Sequence, residues 1–244
     1  MALSTFVISF CFVLPLWLKA EVIPAFNSCR EFFYKNHIPT GFDQNYVTIC
    51  QRYRNIYRYA TLYSKQDRIP VYSAYRLDPT CRNNKAGRRA TWFIEPQLFD
   101  QIEAADMTNP GYRNEIRKIN QTIDDFYKDT GYDRGHLNPN SYQCNDGRIA
   151  TFTLTNAVPM DACFNRIQWK IHEDKMKNII NLNEGDAYFV TGVVFSSKKI
   201  PIPNVDSTET SREFEKVTIP SHMWTALCFH AKKEEESFSF RLHR

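Results

Sequence analysis

Four consecutive residues, Asp133-Arg134-Gly135-His136, are followed at a distance by Asn156, Asn165 and Glu173. A histidine titrates near pH ~6.5, so its neutral imidazole can accept a proton at neutral pH. Arginine presents a planar fork of donors that clamps two phosphate oxygens at once. An amide oxygen and a carboxylate suit a hard divalent cation, and magnesium in particular keeps most of its waters and needs few protein ligands. A base, a phosphate clamp and oxygen ligands are the equipment for hydrolysing a phosphodiester. Taken singly, each residue has a plainer reading. A lone His136 is more often a satisfied or surface histidine, Arg134 could pair with Asp133, and Asn165 and Glu173 could be ordinary helix surface.

The elements that must carry these groups are mostly strands. Tyr59 to Tyr63 and Ile69 to Leu77 read as a hairpin across Ser64-Lys-Gln-Asp-Arg68. Ala90 to Ile94, Ile149 to Leu154, Ala187 to Phe195, Met223 to Phe229 and Ser237 to Leu242 read as further strands. Asn109-Pro110-Gly111 is a turn, and the polar stretch Ser196 to Glu215 an exposed loop. Only Met160 to Leu182 has the pattern of a long helix, with Asp161 as its N-cap. Within it Phe164, Ile167 and Ile171 form an apolar stripe expected to face the core. Asn165, Trp169 and Glu173 stand on another face. At 1.5 Å per residue, Asn165 and Glu173 are about 12 Å apart along the axis, so the carboxylate would reach an ion at Asn165 through water. Strands with one important helix predict an α+β fold, a central antiparallel β-sheet flanked by helices.

The first twenty residues hold an apolar run from Phe6 to Leu18, shorter than a comfortable membrane span and followed by Ala20 and the acidic Glu21. The expectation is a secretory signal over 1–20 cleaved after Ala20, leaving a single domain over 21–244, secreted and free of the membrane. The rival is an uncleaved anchor, since no basic residue precedes the run. Removal of Cys11 leaves six cysteines, Cys29, Cys50, Cys81, Cys144, Cys163 and Cys228, which predict three disulfides in an exported chain. Asn120-Gln121-Thr122 is an acceptor for N-linked sugar on that route. A net charge of +4 permits a polyanionic substrate without demanding one. Basic, tyrosine-rich stretches (Arg52 to Arg68, and Arg82 to Arg89) could track a phosphate backbone while tyrosines stack on bases. They could equally be packing and solvated surface. His172, His222, His230 and His243 show no ligand spacing and read as structural.

Tyr132-Asp-Arg-Gly-His-Leu-Asn-Pro139, then Thr155-Asn-Ala-Val-Pro159 and Asn165 through Trp169 to Glu173, resemble the DNA/RNA non-specific endonucleases, the ββα-metal or His-Me finger enzymes. Pro70-Val-Tyr-Ser-Ala-Tyr-Arg76, Phe189-Val-Thr-Gly192 and Ile219-Pro-Ser-His222 extend the resemblance over most of the chain from about Tyr59 onward, and Met160-Asp-Ala-Cys-Phe164 is similar to a secreted branch of the family. The resemblance implies a ββα-metal active-site motif and a Mg2+-dependent nuclease acting on DNA, RNA or both, with Mn2+ or another divalent cation as a substitute. It implies His136 as general base, Asn165 as metal ligand and Glu173 as holder of a metal-bound water. It further implies Arg134 and Arg76 facing the phosphate and Asn156 supporting the site. The chain departs from the family pattern at Lys177, where arginine is common, and at Met160, where glutamine is common. It also stops soon after its final strand, earlier than that pattern leads one to expect. Two other readings stay open: a secreted nucleic-acid-binding protein with weak turnover, and a phosphodiesterase for small phosphoesters.

Overall fold

β-Branched and aromatic residues alternating along the chain build one large antiparallel sheet, as seen in a computed structural model that describes residues 21–77, 91–111, 120–181, 185–201, 216–231 and 238–243. Its strands are β1 (Val22–Ile23), β2 (Val47–Tyr53), β3 (Ile56–Ser64), β4 (Ile69–Arg76), β7 (Gly185–Lys199), β8 (Thr218–Ala231) and β9 (Phe238–His243), neighbouring in that order. A separate two-stranded ribbon pairs β5 (Tyr132–His136) with β6 (Ala157–Asp161), antiparallel. Two α-helices are described, α1 (Asn145–Ala150) and α2 (Lys170–Asn181). No helix among the described residues is long and apolar enough to cross a membrane. The expected signal segment lies outside the described residues, as does the basic cluster Arg82 to Arg89.

Both faces of the sheet are covered, which is why β4 is buried along nearly its whole length. Tyr72 and Ala74 turn to one face, where Phe26, Phe33 and Phe42 pack on the Tyr72 ring. The Cys29–Cys50 disulfide ties that N-terminal cover to β2. Ser73 and Tyr75 turn to the other face. There Tyr75 stacks on Phe189 and meets Tyr142, and the Ser73 hydroxyl reaches Asn156. The β5–β6 ribbon and α2 sit on this second face.

The hairpin expected between Tyr59 and Leu77 forms, with its strands paired from Ala60–Ala74 outward. The strands expected near Ala187, Met223 and Ser237 also form, as β7, β8 and β9. Three expectations need correction. Ile149 to Leu154 is not a strand: α1 ends at Ala150, and the alternating threonines Thr151, Thr153 and Thr155 are all fully buried, serving buried polar partners rather than solvent. Residues 91–94 of the strand expected at Ala90 make only isolated bridges, Phe93 to Thr153 and Ile94 to Thr108. The six cysteines do not all pair: Cys163 and Cys228 are free, while Cys144 is disulfide-bonded to a partner outside the described residues.

The long helix is also re-phased. Met160 and Asp161 belong to β6, and the Asp161 carboxylate accepts the Phe164 N–H as an N-cap. The first turns, Phe164–Trp169, are π-helical, and the extra residue per turn breaks the 3.6-residue count. Consequently Ile167 (54% exposed) and Ile171 (49%) face outward, whereas Trp169, Met176 and Ile180 face the core. Phe164 alone of the expected stripe packs against the core.

Gly135 is required by packing rather than by its backbone angles. A Cβ there would lie 2.8 Å from Met160 Cβ, with Met160 Sδ and Cε also in its way. Gly135→Ala is expected to cost about 1–3 kcal/mol, read as a lower urea midpoint with an unchanged m-value.

Candidate active site

The ribbon β5–β6 followed by the Phe164–Trp169 turn and α2 is a ββα unit, and it gathers the chemistry. The register pairs His136 with Ala157 and Arg134 with Pro159, so these two side chains project from the same face of the ribbon. A cleft of about 720 Å3 opens on that face, lined by Arg134, His136, Asn165 and Glu173 among others. Four residues separated by up to thirty-nine positions therefore meet in one concavity.

Asn156 sets the position of the segment that carries the histidine. It is fully buried, and its side chain makes four hydrogen bonds. Its Oδ1 accepts from Asn138 N–H (2.9 Å) and from the Ser73 hydroxyl (2.9 Å), and its Nδ2 donates to the carbonyls of Asn138 (3.1 Å) and Thr151 (3.0 Å). The Asn156 carbonyl accepts Leu137 N–H as well. A single amide thus staples the backbone just after His136 to strand β4 and to the end of α1.

His136 lies between Trp92 (ring centroids 4.8 Å) and Phe152 (4.9 Å, T-shaped). Its Nε2 is sealed from solvent without a hydrogen-bond partner, which leaves Nδ1 as the ring nitrogen that meets the cleft. Burial, with the nearby Arg134 charge adding to it, pushes the imidazole pKa down to about 3. The ring is therefore neutral at physiological pH. Arg134 itself pairs with Asp124 and lies over the Trp92 ring, 5.4 Å from its centroid.

Asn165 donates its amide N–H to Asp133 Oδ2 (2.9 Å), while Asp133 also receives a two-pronged bond from Arg166. A carboxylate can only accept, so this bond fixes the amide with its oxygen turned away from Asp133. Glu173 is raised to about pH 8, first by burial and then by repulsion from Asp174, with Lys170 and the Trp169 indole opposing weakly. The indole N–H makes no full hydrogen bond, so little neutralises an ionised Glu173. Helix α2 is pinned behind the cleft by Tyr142, whose hydroxyl donates to the Glu173 carbonyl (2.7 Å), and by Lys177, whose ammonium donates to the Ser141 carbonyl (2.6 Å). At Lys177 a single carbonyl is the acceptor, which a point donor satisfies as well as an arginine fork.

Arg76 does not join this group. It is paired with Asp186 (2.7 Å), lies over the Tyr188 ring and is absent from the cleft lining. Its position at the end of β4 sends the side chain toward β7. Only its backbone carbonyl connects to the site, through Gln143, whose amide also reaches Asn138. In the basic tyrosine-rich run Tyr59 and Tyr63 are fully buried, and Arg52, Arg54 and Arg58 pair with Asp106 and Asp146. His172 and His222 bond Thr225 and Ser221 respectively, and neither they nor His230 lines the cleft. The expected sugar acceptor Asn120 donates its amide to the Leu98 carbonyl (3.0 Å).

Trp92, Phe152 and Asp124 went unnoticed in the sequence. Each lies outside the motif, and a lone aromatic or acidic residue carries no spacing signal. The cleft lining carries both signs of charge: Lys128, Arg134, Arg166 and Lys170 face Asp124, Asp125, Asp133, Glu173 and Asp174. Among the described residues no group of three His, Cys, Asp or Glu side chains is placed to hold a metal.

The model of the DNA/RNA non-specific endonuclease family matches residues 36–241. The human protein named endonuclease domain-containing 1 is 33% identical over 222 residues, covering 86% of this chain and 40% of its own length. The mouse protein of the same name is 33% identical over 227 residues, 89% of this chain and 42% of its own. The chain thus spans less than half the length of these relatives. Among solved structures, a chain from the EndoG/EndoGI complex, whose title concerns the mechanism of EndoG inhibition, superposes with a TM-score of 0.53 at 16% identity, over 76% of this chain and 70% of that one. That likeness concerns the fold. With its motif spacing, its ββα unit and a family match over most of its length, the chain belongs to the DNA/RNA non-specific endonuclease family.

Proposed function

We propose that the protein is a secreted, divalent-cation-dependent endonuclease that hydrolyses phosphodiester bonds of DNA, RNA or both, with His136 as its general base. The observation that carries this reading is the convergence of His136, Arg134, Asn165 and Glu173 on one cleft. Family membership supports a nuclease. The fit to a hard cation rests on two features of the donor set: the Asn165 oxygen left outward by the Asp133 bond, and the half-buried, poorly neutralised Glu173 carboxyl on the cleft wall. With so few protein oxygens, water would complete the coordination, as magnesium prefers. When bound, such an ion supplies Lewis-acid relief of charge on the phosphate and on the leaving oxygen.

The chain's own residues do the rest. Nδ1 of neutral His136 accepts the proton of the attacking water, and the aromatic walls of Trp92 and Phe152 hold the ring in place. A base with a pKa of about 3 is weak, and Arg134 is one cause of that value. A phosphate bound beside His136 brings negative charge close to the ring and raises the basicity of His136 as substrate arrives. Asn156 acts at one remove, as a positioning residue for the Leu137–Asn138 backbone. The Cys29–Cys50 disulfide supports an oxidising destination.

A cleft with four basic and five acidic side chains holds a polyanion poorly without an added cation. This mixed charge favours the nuclease over a protein that only binds nucleic acid. The test is nicking of supercoiled plasmid and of RNA by the purified protein over a magnesium series, with and without chelator. No cleavage with any divalent ion would end the proposal. Glu173→Gln is expected to raise the magnesium concentration for half-maximal cleavage about tenfold, while a titration unaffected by the substitution would remove Glu173 from the ion's surroundings.

A further inference from the structure

Away from the cleft, two carboxyl groups are buried together. Glu21 and Glu95 are both fully inaccessible to solvent. Glu95 Oε1 accepts from the hydroxyls of Thr153 (2.9 Å) and Thr155 (3.1 Å), and Glu21 Oε1 accepts the backbone N–H of Arg52 (2.6 Å). The remaining oxygen of each, Oε2, has no donor. The two groups lie close enough to share a proton, each influencing the other through its side chain. Among the described residues no lysine, arginine or histidine side chain donates to either, and the Arg52 guanidinium is engaged with Asp106 and Asn55. A pair of carboxyls sharing one proton still carries one negative charge. A buried charge without a counter-ion is costly.

The missing cation has a source within the chain. The backbone nitrogen of Glu21 belongs to the same residue as one of these carboxyls and already donates to Gln97 Oε1 (2.7 Å), which also receives Val22 N–H (3.0 Å). We propose that removal of residues 1–20 is a maturation step that creates the counter-ion of this site: the new α-ammonium of Glu21 keeps its bond to Gln97 and closes an ion pair with the Glu21–Glu95 carboxyls. Hydrolysis of the Ala20–Glu21 bond by a signal peptidase adds water across the C–N bond, leaving a carboxylate on Ala20 and an ammonium on Glu21. The ammonium offers three donors where the peptide offered one. Strand β1 pairs with β2 through Val22–Ile49, so the lock fixes the edge of the main sheet and, through Thr153 and Thr155, the segment leading to Asn156.

This inference rests on the proposed cleavage after Ala20, and the two can fail separately. The full chain is secreted from eukaryotic cells in two forms, wild type and one with Gly-Ser inserted between Ala20 and Glu21, and each is also made with Glu95→Gln added. Intact mass gives the first residue of each product. A wild-type product that starts anywhere but Glu21 overturns the cleavage reading and the lock with it. With the start at Glu21, the insertion is expected to lower Tm by about 6 °C, and Glu95→Gln to shrink that difference to about 2 °C or less. Equal Tm values with the correct start overturn the lock alone. Should Glu95→Gln not be secreted, the α-amine itself is read out. Its labelling by an amine-reactive probe near pH 7 is expected to be at least about tenfold slower in the native protein than in urea, and equal rates overturn the proposal.

Discussion

Replacing His136 with alanine is expected to lower the phosphodiester cleavage rate by about 10²–10⁴-fold, the span typical of a removed general base. The substitution deletes Nδ1 but leaves Arg134, Asn165 and Glu173 on the cleft wall, so nucleic-acid binding in magnesium should change little. Single-turnover cleavage measured beside binding separates the two effects; wild-type cleavage by His136→Ala would end the assignment. The same histidine sets a pH dependence of stability. Folded, it holds its proton only below pH about 3, whereas the unfolded chain takes one up near pH ~6.5. Unfolding therefore binds a proton across that window, and this contribution to stability falls as pH drops from about 6.5 toward 3. In His136→Ala that part of the acid sensitivity should be missing from a series of denaturant midpoints.

Asn156→Leu should be the most damaging single substitution for the fold near the site. Leucine matches the side chain roughly in size but strips partners from Asn138 N–H, the carbonyls of Asn138 and Thr151, and one bond from Ser73. Each buried polar group left unsatisfied costs about 1–3 kcal/mol, so a total of about 4 kcal/mol or more is expected. For a chain of this length that is a fall in Tm of about 10 °C or more. Asn156→Asp isolates the donors. It keeps the acceptor but sets a carboxylate oxygen against two carbonyls, so its defect should lessen as pH falls and the acid protonates. A Tm unchanged in Asn156→Leu would show that the amide does not hold the His136 segment.

Gly135 and Asn156 show how much of this site was readable from residue order. Types and spacing, read with the family resemblance, singled out His136, Arg134, Asn165 and Glu173 as candidates, and the fold brings these four to one cleft. The hairpin of β3 and β4 and the N-cap at Asp161 were likewise legible, since alternation and capping are local. The α+β architecture followed from the excess of strands. Spacing could not give the phase of the helix. The π-helical turn at Phe164–Trp169 rotates everything after it, turning Ile167 and Ile171 outward.

Residue order therefore determined which groups were available for the chemistry. Tertiary structure decided which of them meet. Arg76 and Arg134 are the same side chain with the same reach, yet one pairs with Asp186 at a strand end and the other lines the cleft. The pKa values of His136 and Glu173 belong to the same class of result. For His136 the burial comes from Trp92 and Phe152, and for Glu173 from the packing of α2 against the rest of the fold; desolvation is a property of the folded surroundings rather than of the residue. The sealed Glu21–Glu95 pair is another: two glutamates seventy-four positions apart carry no mutual signal until the sheet closes over both.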